Sequence, residues 1–234
     1  MARFYGGQSQ YLISEERKAR ISFWLSFLFF LWGATGYFLF CFSENDNFLL
    51  FFVAVFFIGL AGAVSWFAGK AAWRVYSFKR GRIGEYEVSR VLRKLSDKYY
   101  VFWDVKLPQL ISNIDFVVAG PTGVFAIEVK HCAGSVEFNG EVLTRNGQPF
   151  KKDILKQAKR GAAKLAEYLG IGFARPILVF SHNYTKLRFR LKPQKRVLVV
   201  RKEFLLKAIY QNNVDFNISG QIIDRLKGVV APAK

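Results

Sequence analysis

The sequence predicts an α/β sandwich with a mixed central sheet, preceded by a two-helix transmembrane hairpin. Three observations carry that expectation. Residues 21–42 and 48–69 hold no charge, and a helix of about 22 residues crosses roughly 30 Å of hydrocarbon. Segments 114–119 and 124–130 are almost wholly apolar up to their ends, as expected of strands covered on both faces. Helix, three strands, helix, strand is then an order that folds into α/β layers.

On this reading the 234-residue chain comprises an N-terminal segment (1–20), two spans (21–42 and 48–69), a basic linker (70–80), an α/β domain (81–200) and a helical tail (201–234). Arg3, Arg17, Lys18 and Arg20 precede the first span, and Lys70, Arg74, Lys79, Arg80 and Arg82 follow the second. The link Ser43-Glu-Asn-Asp-Asn47 has no basic residue. The positive-inside rule therefore predicts a multi-pass protein of the inner (plasma) membrane, with both termini and the α/β domain cytoplasmic. Gly33, Gly36, Gly59, Gly62 and Ala63 would let helices approach closely, within the hairpin or in a homo-oligomer.

Residues 1–69 hold four basic and four acidic side chains, so the net charge of +18 belongs to the remainder. A domain this basic attracts polyanions, whether nucleic acid or an anionic lipid bilayer. Cys41, Cys132, His131 and His182 are the only cysteines and histidines, and they give no zinc-type cluster.

After a break at Gly81-Arg-Ile-Gly84, Val88, Val91, Leu92 and Leu95 predict a helix over 85–97. Strands are expected at 99–107, 114–119 and 124–130. Asn139-Gly140 predicts a two-residue turn joining 135–138 to 141–144. Ile154, Leu155, Ala158, Ala162, Leu165 and Ala166 predict a helix over 153–168, closed by Gly170. Strands at 176–180 and 196–200 follow, then helices at 203–210 and 218–226. Lys186, Arg188, Arg190 and Lys192 alternate with Leu187, Phe189 and Leu191, which predicts a strand with one basic face suited to a phosphate backbone.

A turn at Gly120-Pro121-Thr122-Gly123 sets Ala119 opposite Val124, Val117 opposite Ala126 and Asp115 opposite Glu128. Lys130, two residues on, returns to the same face. Two carboxylates and an ammonium at the end of a buried hairpin are costly unless they bind something. Asp115 and Glu128 suit a hard cation, Mg²⁺ or Mn²⁺, through oxygen. Lys130 can polarise a water and stabilise developing charge. Phosphodiester hydrolysis is chemistry that uses this set. His131, on the opposite face, reads as a strand-end residue.

Gly81-Arg-Ile-Gly-Glu85-Tyr-Glu-Val88, Asn113-Ile-Asp115-Phe-Val-Val, Thr122-Gly-Val-Phe-Ala-Ile-Glu128-Val-Lys130, Gly134 and Gln157-Ala158 together resemble the nuclease-related domain, NERD, of the PD-(D/E)xK nuclease superfamily. The resemblance covers about residues 80 to 200. It implies a restriction-endonuclease-like three-layer sandwich and a metal-dependent nuclease, whose substrate is nucleic acid, with DNA ranked ahead of RNA. It implies catalytic roles for Asp115, Glu128 and Lys130, a further acidic position at Glu85 that can join the metal site, and a polar helix position at Gln157. Phe116 and Asn113 depart from the pattern, standing where His and Gly are common. The alternative is a non-catalytic nucleic-acid-binding or scaffold module on the same fold.

Overall fold

The computed structural model of the chain describes residues 1–7, 10–41, 48–189, 193–211 and 216–230. It divides into one unit of Met1–Gln10 with Arg80–Lys234 and a second of Tyr11–Lys79. The chain begins with a short strand, β1 (Arg3–Tyr5), followed by two long helices, α1 (Gln10–Cys41) and α2 (Phe48–Leu92).

The helices correct the membrane expectation. Among the described residues no helix is long and apolar enough to cross a membrane. The transmembrane hairpin, the integral bilayer contact and the multi-pass inner-membrane location are therefore not supported. The two runs include Ser22, Ser26, Gly33, Thr35 and Gly36, then Gly59, Gly62, Ser65 and Gly69, and they lie within longer helices that carry charges such as Arg17, Lys18, Lys70 and Arg74. The link at 43–47 lies outside the described residues.

The α/β expectation agrees with the structure. After α2 come β2 (Tyr100–Val105), β3 (Ile114–Gly120), β4 (Gly123–Lys130), β5 (Gly134–Phe138), β6 (Leu143–Arg145), β7 (Gln148–Pro149), α3 (Ile154–Leu169), β8 (Arg175–Phe180), β9 (Thr185–Leu187) and β10 (Leu198–Arg201). A 3₁₀ turn (Lys202–Phe204), α4 (Leu205–Tyr210) and α5 (Gly220–Gly228) close the order. The central sheet runs β1-β2-β3-β4-β8-β10. Its middle is antiparallel, while β1 on β2, β8 on β4 and β10 on β8 are parallel.

Alternation along these strands feeds two cores. Val117 and Ala119 of β3 and Val124 and Ala126 of β4 pack against Ala162 and Leu165 of α3 and Leu226 of α5. Phe116, Val118, Phe125 and Ile127 face the other way, onto Val88 and Leu92 of α2 and Leu205 and Ile209 of α4. Each large apolar side chain so buried contributes about 1.5–3 kcal/mol. The result is a three-layer sandwich. Helix α3 is set at both ends: the Asp153 side chain accepts from the Lys156 amide at 2.9 Å, and Gly170 takes the left-handed conformation, φ 69°.

Gly81 and Gly84 do not break the helix, because α2 runs through both. Gly84 instead permits close approach: a Cβ there would lie 2.6 Å from the Cβ of His131 and 2.9 Å from Ser181 Oγ. Gly84→Ala is expected to cost about 1–3 kcal/mol through overpacking, read as a lower thermal midpoint. An unchanged midpoint would show that the helix backs away freely.

Two local expectations also change. Phe138 pairs with Leu143, so the Asn139-Gly140 loop spans 139–142 rather than two residues. Asn139 Oδ1 folds it by accepting from the amides of Glu141 and Val142 at 3.0 and 2.9 Å. The basic strand is shorter than its alternation implies: β9 stops at Leu187 and pairs with β5 in a second sheet, β7-β6-β5-β9. Lys186 lies in β9, and Arg188, beyond its end, donates from Nε to Ser135 Oγ at 3.1 Å. Arg190 and Lys192 lie outside the described residues. Alternation states only which side residues would face if a partner edge continued, and β5 offers pairing to β9 only over Gly134 to Val136.

Candidate active site

Strands β3 and β4 pair in the expected register, Ala119 with Val124 and Val117 with Ala126, and the last rung is Phe116 with Ile127. The ladder ends there, short of the expected Asp115–Glu128 pair, and the Val129 amide, two residues past Ile127, donates instead to Asp115 Oδ2 at 2.6 Å. A side chain has replaced the main-chain acceptor there. On the other edge of β3, Trp103 pairs with Phe116 and Val105 with Ile114, and the ladder skips Asp104. Asp104 is held in the left-handed region, φ 60°, with Oδ1 accepting from Asn113 Nδ2 at 2.7 Å. Asp115 thus sits where the sheet is loosened on both sides.

Glu128 and Lys130 project from β4 on the α3 side of the sheet. Glu128 is buried, and its Oε1 accepts from Lys130 Nζ and from Gln157 Nε2, each at 2.6 Å. Lys130 Nζ also reaches Gln157 Oε1 at 3.4 Å. The Asp153 cap places Gln157 one turn into α3, where a single amide can touch both charged partners. The structure therefore brings Asp115, Glu128, Lys130 and Gln157 together.

The charges in this group are unbalanced. Burial pushes the Asp115 carboxyl well above its ordinary value, and the Glu128 and Glu85 carboxylates push it further, against Lys130 and the Val129 amide. Burial alone would lower the Lys130 ammonium, but Glu128 and Asp115 outweigh it and hold its pKa above the usual value. Asp115 thus shares a low-dielectric region with the Glu128 and Glu85 carboxylates and the Lys130 ammonium. The donor set suits a hard cation, since Mg²⁺ is usually held by one or two carboxylates, with water and substrate phosphates supplying the rest. Among the described residues no three His, Cys, Asp or Glu side chains converge as a metal cluster. A cavity of about 20 Å³, lined in part by Asn113, Glu128 and Gln157, has room for one water.

Glu85 stands apart from the hydrogen-bonded group. It is buried on α2, with Oε2 accepting from Trp103 Nε1 at 3.0 Å, and its charge helps to raise the Asp115 pKa. His131 also lies outside the group. Its Nδ1 pairs with Ser181 Oγ at 3.0 Å and its ring centroid is 4.8 Å from that of His182. Burial, then His182 and Arg80, lowers its pKa to about 4, which leaves it neutral at neutral pH.

Sequence reasoning missed Trp103, which anchors Glu85, and the Asn113–Asp104 pair, which shapes the edge of β3 beside Asp115. The one available signal was Asp104 itself, a lone carboxylate in the otherwise apolar run Tyr-Val-Phe-Trp-Asp-Val.

Comparison with curated proteins and with solved structures gives no match. Residues 80–181, which run from the last turns of α2 through β8 and hold all the residues of this site, match the family model of the nuclease-related domain, NERD, and that match points to a nuclease-like function on a nucleic-acid substrate.

Proposed function

We propose that Asp115, Glu128 and Lys130 carry out metal-dependent hydrolysis of phosphodiester bonds in nucleic acid, with DNA the first substrate to test. What supports this reading is the geometry: Glu128 Oε1 accepts from both Lys130 Nζ and Gln157 Nε2, and Asp115 on the adjacent strand accepts from the Val129 amide between them. Nucleases of the superfamily usually use divalent metals, and Asp115 and Glu128 would hold Mg²⁺ or Mn²⁺. Bound there, the cation supplies charge neutralisation and a water of lowered pKa. Lys130 directs a compact positive charge toward negative charge developing on the phosphate.

Gln157 positions Glu128 and Lys130 at once, and Trp103 fixes Glu85, whose charge adds to the pull on a cation. Gln157→Leu should lower metal affinity or cleavage about 10- to 100-fold without lowering the thermal midpoint by more than a few degrees. A variant with wild-type metal affinity and rate would remove Gln157 from the site. Lys186 and Arg188 are proposed phosphate contacts, together with Arg190 and Lys192.

The test is incubation of the full chain with single-stranded DNA, duplex DNA and RNA, in chelator, Mg²⁺ or Mn²⁺. Cleavage dependent on metal supports the reading. The second reading, a nucleic-acid-binding module that does not cut, is favoured by the existing occupation of Glu128 Oε1 by both Lys130 and Gln157. Binding without cleavage of any substrate would select it.

A further inference from the structure

We propose that the groove between α3 and the segment 171–176 is a docking site for single-stranded nucleic acid, with a base stacked on Phe173 and phosphates on the flanking cations. This rests on the nucleic-acid reading above and goes beyond it in naming the strand state and the path. The groove encloses about 660 Å³. Its floor includes Ala162, Ala163 and Ala166, all too short to fill it. Phe173 lines it while 62 % exposed, a large aromatic that the fold leaves outside its cores. Lys156, Lys159 and Arg160 of α3 line it too, as does Arg196. Among the described residues Glu167 is the only acid lining it, and its carboxylate is paired with Lys164 at 2.6 Å.

An apolar floor among four cations suits a polyanion that also presents flat apolar faces. A duplex keeps those faces stacked inside and offers mainly backbone and groove edges. An unpaired strand offers both, and stacking a base on an aromatic side chain contributes about 1–3 kcal/mol. Phe173 and Arg196 also line a second groove of about 350 Å³ that includes Arg175, so open volume adjoins Phe173 in both. Lys156 precedes Gln157 in α3, and because consecutive helix positions face different directions the groove lies on another flank of the helix from the Gln157 side chain.

The experiment is fluorescence anisotropy of the full chain with a labelled oligothymidylate and with a duplex of the same length, in chelator so that nothing is cut. Phe173→Ala should weaken single-strand binding about tenfold and duplex binding less than about twofold, and Phe173→Tyr should restore it. Lys159→Ala with Arg160→Ala should flatten the salt dependence for the single strand by about 1.4, at about 0.7 per phosphate. Single-strand binding indifferent to Phe173→Ala, equal losses on both substrates, or no single-strand binding by wild type would each overturn the proposal. Asp115→Asn keeps the catalytic reading separate: continued cleavage by that variant refutes the hydrolytic site and leaves the groove standing. Loss of cleavage with Phe173-independent binding does the reverse.

Discussion

Asp115→Asn and Glu128→Gln are each expected to abolish metal-dependent cleavage, and Asp115→Asn should also stabilise the metal-free protein. Both variants remove one of the two carboxylates available to a cation. Asparagine keeps an oxygen that can accept from the Val129 amide, so the parting of β3 and β4 is preserved while the charge is lost. The direction of the stability change follows from the raised pKa of Asp115. Near and below the ordinary aspartate value of 3.8, the folded and unfolded chains both hold the proton and the contribution is fully present. As pH rises through the higher folded value, the native state must surrender a proton that it holds more tightly than the unfolded chain does, and stability is lost. The asparagine variant has no such proton. Thermal melts across the acid-to-neutral range should therefore diverge, with the variant higher by a few degrees at neutral pH. Mg²⁺ should close the gap by stabilising only wild type. Parallel melting curves, or cleavage by Glu128→Gln at the wild-type rate, would refute the assignment.

Lys130→Ala should leave metal affinity nearly intact and lower the single-turnover rate about 10²- to 10³-fold, the range found on removing one donor to developing charge. Its pKa is already above the ordinary lysine value, so its titration should not appear in a pH–rate profile near neutrality. Lys130→Arg should recover little, because the planar guanidinium cannot replace a point charge seated between Glu128 and Gln157. A loss smaller than about threefold for Lys130→Ala would reduce the residue to a ground-state partner of Glu128.

The β3–β4 hairpin and its register were legible because a two-residue turn fixes a period-two pattern, and the faces of Asp115, Glu128 and Lys130 follow from counting. Helix α3 was legible for the same kind of reason: Asp153 and Gly170 are local signals with local causes. Other features depend on what arrives from elsewhere in the chain. Gly84 looked like a break because glycine weakens a helix, whereas its use is set by His131 and Ser181, distant in sequence. Strand β1 has three residues, too few for a period to show, and it is fixed by its parallel pairing to β2. Trp103 and Asp104 acquire their roles only once α2 and Asn113 are beside them. The two charge-free runs show the opposite failure, a strong local signal that the described helices do not bear out.

The bond from Val129 to Asp115 gives the site a reporter in the backbone. An amide that donates to a carboxylate is protected from solvent exchange only while that carboxylate stays in place. Ionisation of Asp115, its engagement by a cation, and its replacement by alanine should each change the exchange rate at this one peptide group, against a background of neighbouring rungs held by ordinary main-chain pairing. Occupancy of the site can thus be followed residue by residue in a protein that is not turning over.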